Sequence, residues 1–345
     1  MTPSARLAAL VELFNECDAT RGPAERVVTA YFRARRYAGS KDRRWISDLF
    51  YEIQRKRGFL DDVIRQNGLE SDWVARSVTA LFHLRDVPAE DLEPVYLSGP
   101  HAVPLPEGLA LDQLQNLAGY GAPAVPATNF STWIAEKLYA QYPDTIQDIE
   151  AAYLETAPVT LRVNRLKADR DEVLEILAEE GIEARPSAHS PNAVLLSGRV
   201  NLGQQSLFKS GWVELQDEAA QIAALLADAR PGMSVMDYCA GGGGKTLALG
   251  AEMENDGVIL AFDVDSRRLG DVMPRSIRAG LDIVSAMALN SNEIDLGALR
   301  EGYDRVFVDA PCSGSGTWRR QPDQKWHFHE ERFGDLLNIQ SRILE

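Results

Sequence analysis

From Met233 onward the chain alternates between short apolar segments and amphipathic ones: "MSVMDY", "KTLALGAEM", "GVILAFDVD", "SRRLGDVMPRSIRAG", "DIVSAMAL" and "DRVFVDA". Apolar strands separated by helical segments long enough to cross over are the pattern of a parallel sheet with helices on both faces. The spacing therefore predicts a doubly wound α/β domain. Ligands of such sheets bind beyond the carboxyl ends of the strands, and two of the loops there are unusual. Gly241 to Gly244 lie between a strand and a helix, where backbone N–H groups and the positive end of the helix dipole favour a negatively charged group. "DAPCSGSG" follows the last strand: Pro311 has no N–H and ends the pairing begun at Val306, and the glycines after it allow close approach of a ligand.

Two common ligands do not fit the glycine run. The phosphate-binding pattern G-x-x-x-x-G-K needs its first glycine where this chain has Cys239. The dinucleotide pattern G-x-G-x-x-G needs its third glycine at Thr246 or Leu247. S-adenosylmethionine remains, with its methionyl carboxylate set against the turn. Asp263 ends the next strand roughly 20 residues on, a spacing suited to accepting hydrogen bonds from ribose hydroxyls.

Charge constrains the partners. The 345 residues carry 36 basic and 51 acidic side chains, a net charge of −15, which speaks against nucleic acid for the surface as a whole. From Arg21 to Arg57, however, eleven Lys/Arg face four acids, interleaved with Tyr31, Phe32, Tyr37, Trp45 and Tyr51. That asymmetry suits a local phosphate-binding face; a solvated helical face over an aromatic core is the alternative. No apolar run approaches the roughly 18 residues needed to cross a membrane, and "MTPSARLAALVELFNE" reads as an amphipathic helix without a secretory leader's apolar core. Cys17, Cys239 and Cys312 form no disulfide or zinc spacing, which points to a reducing cytoplasm. His327 and His329 have no third ligand nearby, so no metal is expected.

Residues 1 to about 85 read as helices, among them "RVVTAYFRARRYAG", "DRRWISDLFYEIQRKRG" and "DWVARSVTALFHLRD". Seven prolines from Pro88 to Pro126 mark a connection with short helices at best. "STWIAEKLYAQYP" opens a further helix, with Ser131 or Thr132 as its cap. After Pro158 the period changes, and the strands "VTLRVN" and "NAVLLSG" flank the helix "RDEVLEILAEEG". Three domains are expected: an all-α domain with its Pro-rich connection at 1–130, a small α/β linking module at 131–205, and the doubly wound domain at 206–345.

Taken together, these motifs resemble the RNA 5-methylcytosine methyltransferases of the Sun/RsmB type. "VELQDEAAQ" is similar to that family's lead-in to its catalytic domain, "DYCAGGGGKT" to its cofactor loop, "FDVDSRRL" to its ribose-binding strand end, and "DAPCSGSGTWRRQPDQKW" to its catalytic loop. "RRYAGSKDRRWISDLFYEIQRKRG" resembles the NusB-like RNA-binding domain of the ribosomal-RNA branch. The resemblance implies a Rossmann-like domain that methylates carbon 5 of a cytosine in RNA, ribosomal RNA being the partner and S-adenosylmethionine the donor. It implies cofactor contacts by Cys239, Ala240, Gly241, Gly242, Gly243, Gly244, Lys245, Asp263, Asn290 and Asp309, and catalytic roles for Asp309 and Cys312. Two positions depart from the family pattern: glycine stands at 242 or 243 where relatives carry proline, and Asn290 where they carry an acid.

The family chemistry gives the opening loop a purpose. Carbon 5 of cytosine becomes nucleophilic once a thiolate has added to carbon 6. Asp309 is suited to hydrogen-bond the ring's polar edge as charge develops. The base must leave its stack to enter the pocket. In the family the attacking cysteine lies in a later Thr-Cys-Ser motif, while the cysteine at the position of Cys312 assists product release. The chain ends at "NIQSRILE", in the helix that should precede that motif, so it is expected to be C-terminally truncated and to lack the nucleophile. A non-catalytic RNA-binding or ribosome-assembly factor that keeps the fold is the alternative. Arg319, Arg320 and Lys325 are expected beside the RNA backbone or the cofactor, with solvent exposure as the alternative.

Overall fold

The computed structural model describes the chain apart from Arg21, Gly108, residues 120–127, Arg199 and residues 290–301. It contains two compact units: Met1–Ala157 with Cys312–Asn338, and Pro158–Pro311 with Ile339–Glu345. The spans expected at 131–205 and 206–345 are each distributed over both.

In the first unit, helices α1 (Pro3–Thr20), α2 (Ala24–Ala34), α3 (Ser40–Arg55), α4 (Arg57–Gln66) and α5 (Trp73–Arg85) come first. Apolar side chains recurring every three to four residues give α2, α3 and α4 buried stripes, while α5 is buried on all sides from Trp73 to Phe82. The stripes meet around Leu7, Leu10, Phe14, Ile46, Phe50 and Leu60. Phe14 stacks between Phe50 at 4.5 Å and Trp73 at 4.1 Å. Each such buried side chain contributes roughly 1.5–3 kcal/mol. Asp72 caps α5, accepting the Ala75 N–H at 2.7 Å. Among the described residues the proline-rich connection holds only short helices, one of them α6 (Leu111–Asn116); α7 (Thr132–Gln141) and α8 (Ile146–Leu154) follow. Ser131 does stand at the start of α7, but its hydroxyl makes no capping bond and is buried with no partner among the described residues.

The second unit holds two sheets. β1 (Val159–Val163), α9 (Arg170–Glu179), β2 (Ala184–Pro186), β3 (Ala193–Leu196), α10 (Ser206–Lys209) and β4 (Val213–Leu215) build an antiparallel sheet of order β2-β3-β1-β4. After α11 (Glu218–Leu226) come β5 (Ser234–Tyr238), α12 (Gly244–Glu252), β6 (Val258–Asp263), α13 (Ser266–Leu269), α14 (Val272–Ala279), β7 (Val284–Ala288) and β8 (Arg305–Val308). These strands form the expected parallel sheet, in the order β7-β6-β5-β8. The chain starts at β5, moves outward through β6 and β7, then returns to the other side of β5 for β8. Strand order therefore reverses between β5 and β8, and that reversal is where such sheets bind ligands. Val235, Leu247, Leu249, Ile259 and Val272 fill the core between this sheet and its helices.

Beyond Pro311 the chain belongs to the first unit again, with α15 (Gln324–His327) and most of α16 (Glu330–Leu344). Trp318 and Phe328 are buried there with Phe130, Ile134 and Ala135.

Candidate active site

At the reversal point, β5 ends in a turn whose backbone few side chains would tolerate. Cys239, Gly241 and Gly243 have φ of 77°, 57° and 80°, in the left-handed region. A Cβ on Gly243 would lie 3.1 Å from a methyl of Val272, and one on Gly241 would lie 2.5 Å from the Arg268 guanidinium. The amides of Cys239 and Ala240 both donate to the Phe262 carbonyl, at 3.0 and 2.7 Å, which fastens the turn to β6. Asp263, 8% exposed, accepts the Gly241 N–H through Oδ2 and the Asp265 N–H through Oδ1, each at 2.7 Å. Both oxygens of the carboxylate expected to meet a ribose thus already shape the loop, each with a further lone pair remaining.

Sequence reasoning missed the support on the other side. Arg162 on β1 donates to the Gly244 carbonyl at 2.7 Å, and Arg275 on α14 donates to the Gly242 carbonyl. Glu214, opposite Arg162 in the β1–β4 register, takes Arg275 at 3.0 Å and also Arg278. Burial pushes the Arg162 guanidinium down to about 10. The antiparallel sheet therefore fixes the carbonyls of the glycine turn, and the available signal was a charged residue inside each apolar strand, Arg162 in "VTLRV" and Glu214 in "VEL".

Beneath the turn lies Asp237 of β5, 1% exposed and also unforeseen. Its Oδ2 accepts the Thr246 hydroxyl at 2.6 Å, while Oδ1 is buried with no partner among the described residues. Desolvation pushes this carboxyl up to about 6, with Asp309 and Asp263 adding to the rise and the Thr246 bond and Lys245 opposing it. Lys245 and Asp309 are brought together, Nζ to Oδ2 at 2.6 Å. One ion pair thus joins the glycine turn to the strand end that leads into Pro311. Cys239 is half-buried, and desolvation with nearby carboxylates pushes its thiol up to about 11, so it stays protonated. Cys312 is exposed, and Asn290 lies outside the described residues. A turn whose left-handed backbone at Gly241 and Gly243 disfavours side chains, above a buried carboxylate oxygen without a partner among the described residues, fits a compact polar cofactor such as S-adenosylmethionine.

The basic segment divides in two. Arg35 pairs with Glu12 and Glu16 at 2.6 and 2.8 Å, Arg55 is buried, and Arg57 stacks over Trp73 at 5.2 Å and Trp326 at 5.1 Å. Arg26, Arg33, Arg36, Lys41 and Arg44 are exposed, and no ion pair engages them among the described residues. Tyr31 and Phe32 belong to the core. Lys41, Arg44, Arg85 and half-buried Trp45 border a depression of about 530 Å³. Lys325 departs from expectation: it is 1% exposed, facing neither RNA nor solvent. Arg319 is held by Glu155 at 3.4 Å.

Known proteins resemble the chain in sequence and in fold. Residues 130–203 match the family described as Methyltr_RsmF/B-like, ferredoxin-like domain, and residues 224–345 match 16S rRNA methyltransferase RsmB/F. Both matched models describe RsmB/F methyltransferases. It is 35% identical over 214 residues to ribosomal RNA small subunit methyltransferase B of Yersinia enterocolitica, covering 62% of this chain and 49% of that one. To the protein of the same description from Pseudomonas syringae it is 33% identical over 221 residues, covering 64% and 49%. The chain thus spans about half the length of the curated relatives it matches. Among solved structures, PH0851 shares the fold over 100% of this chain and 82% of its own, with a TM-score of 0.73 at 23% identity. A methyltransferase homolog from Pyrococcus horikoshii is 26% identical with a TM-score of 0.53, covering 62% of this chain and 68% of that one. S-adenosylmethionine is the family's methyl donor. Among the described residues no helix is long and apolar enough to cross a membrane.

Proposed function

We propose that the protein methylates carbon 5 of a cytosine in ribosomal RNA with S-adenosylmethionine as donor, through a cysteine–cytosine adduct whose attacking thiol the family resemblance places in a Thr-Cys-Ser motif and not at any of the three cysteines of this chain. The observation that carries this reading is the Lys245–Asp309 pair at the strand reversal, which couples a cofactor turn to the strand end that runs into Pro311 and Cys312. Gly241 to Gly244, Asp263 and the free oxygen of Asp237 would hold the donor, which supplies an electrophilic methyl group when bound. Asp309 keeps Oδ1 unengaged among the described residues, available to accept a hydrogen bond from the amino group of cytosine. Lys245 orients that carboxylate through the ion pair. The exposed thiol of Cys312 follows three residues later, at the position the family resemblance assigns to product release. Arg26, Arg33, Arg36, Lys41 and Arg44 would take backbone phosphates, and Trp45 offers a face on which an unpaired base stacks.

The test pairs calorimetry with labelled transfer. The protein should bind S-adenosylmethionine, and a form that carries the Thr-Cys-Ser motif should place labelled methyl groups in small-subunit ribosomal RNA as 5-methylcytidine, read after digestion and mass spectrometry. Label in another nucleoside refutes the cytosine assignment, and absence of donor binding refutes the cofactor assignment. Donor and RNA binding without transfer would favour the non-catalytic reading.

A further inference from the structure

The stretch Arg319–Trp326 reads in sequence like a nucleic-acid contact, yet it is built into the helical unit. Lys325 Nζ donates to the Arg55 carbonyl at 2.8 Å, and Trp326 Nε1 donates to the Gln54 carbonyl at 2.6 Å. Gln54 and Arg55 are the last two residues of α3. The final carbonyls of a helix have no partner of their own and carry the negative end of its dipole, so a lysine and an indole N–H from about 270 positions away cap it. The contact is reciprocal: Arg55 Nη2 donates to the Arg319 carbonyl at 2.9 Å. Asp323 accepts the Ala24 N–H, the first of α2, at 3.3 Å. The ammonium of Lys325 lies 5.4 Å from the Phe130 ring and 5.3 Å from the Trp326 ring. Upstream, the Tyr153 hydroxyl donates to the Ser315 carbonyl at 3.2 Å.

We infer that Lys325 is a positioning residue: with Trp326 it clamps the loop that begins at Cys312 to the carbonyl end of α3, whose opposite end carries Lys41 and Arg44. The helix that presents the exposed cations and the loop that carries the thiol are then one rigid piece. Burial pushes Lys325 down to about 7, the Arg55 guanidinium adding to this and Glu150 opposing it. The clamp survives loss of that proton, because a neutral amine still donates to a carbonyl. The inference rests on the proposed function only for its catalytic consequence; the clamp itself is tested without turnover.

Lys325→Met and Trp326→Phe in the full chain would be compared with the unsubstituted protein by hydrogen exchange. In Lys325→Met, amides of residues 312–318 should exchange at least about 10-fold faster, while those of Ser234–Glu252 and the affinity for S-adenosylmethionine stay within about twofold. Unchanged exchange at 312–318 in a cooperatively melting Lys325→Met overturns the clamp. If Lys325→Met does not fold, Trp326→Phe decides, since it deletes one N–H and keeps the aromatic packing: exchange at 312–318 should rise several-fold, and no rise overturns the clamp. For turnover, kcat should fall about 10-fold with KM for RNA unchanged, whereas a raised KM at constant kcat would make Lys325 an RNA-binding residue and overturn the assignment. Loosened exchange in a protein that never transfers methyl groups would leave the clamp standing and sink the proposed function.

Discussion

Asp237→Asn should make the protein more stable at neutral pH. In the folded state the Asp237 carboxyl is pushed up to about 6 from an ordinary 3.8, chiefly because desolvation disfavours its ionised form. A folded-state value above the unfolded one means that the stabilising contribution is complete below 3.8 and lost as pH rises through 6. At 1.36 kcal/mol per pH unit, ionised Asp237 costs about 3 kcal/mol at pH 7.5, an upper figure for a group of this kind. Asparagine has the same shape, carries no charge and still offers an oxygen to the Thr246 hydroxyl. The assay is urea denaturation followed by circular dichroism, with wild type and variant compared at several values between pH 4 and 7.5. The difference should be near zero at pH 4, grow between pH 4 and 6, and level off at roughly 1–3 kcal/mol in favour of the variant. Affinity for S-adenosylmethionine should move the other way and fall about 10-fold, since the oxygen without a partner is replaced by an amide N–H. Parallel stability curves for the two proteins across that range would refute the reasoning, because they would show that burial does not hold this carboxyl's proton.

Other consequences are simpler. Gly243→Ala sets a side chain at φ 80° and 3.1 Å from Val272; unfolding free energy should fall by roughly 1–3 kcal/mol and donor affinity should fall with it, read by thermal melting and calorimetry. Lys245→Met breaks an ion pair whose aspartate is half exposed, so stability should change by under about 1 kcal/mol, while removal of a charge that orients Asp309 should lower kcat by roughly 10²-fold or more in a methyl-transfer assay. Lys41→Ser with Arg44→Ser should weaken RNA binding and shrink the slope of log K against log salt by roughly 0.7 for each single-strand phosphate that is no longer neutralised. An unchanged slope would remove that end of α3 from the RNA surface.

Period made the parallel sheet readable: buried strands and amphipathic helices differ so strongly in pattern that β5 through β8 fell where alternation put them. The glycine turn was readable because left-handed backbone at Gly241 and Gly243 selects the residue itself. Helix α4 was less visible, since Gly58 near its start reads as punctuation. That glycine answers to a neighbour instead: a Cβ there would lie 1.9 Å from the Thr128 carbonyl oxygen, an approach between segments far apart in the sequence. Arg162 and Glu214 were hidden for a related reason. Charge inside a short strand says that a partner exists, but the partners here, the carbonyls of Gly242 and Gly244 and the guanidinium of Arg275, come from the glycine turn beyond a different sheet and from a distant helix.

Lys325 shows where reading charge as affinity for phosphate fails. Lys325, Arg319 and Arg320 together look like an anion site, yet solvent reaches Arg320 and part of Arg319 but not Lys325. What decides the place of the lysine is the end of the helix it meets. The Gln54 and Arg55 carbonyls terminate α3, so the field there is negative and draws a cation as a phosphate would. Arg44, Lys41 and Ser40 lie toward the other end of the same helix, where the dipole is positive and adds to side-chain charge in attracting anions. The direction of one helix thus sorts cations of like sign into two jobs: those near its amino end face outward toward a polyanion, and Lys325 is drawn in at its carboxyl end to hold the loop. Reversal of charge at Lys325 would set a carboxylate against carbonyl oxygens with no donor between them, so the site admits a donor and not merely any residue of suitable size.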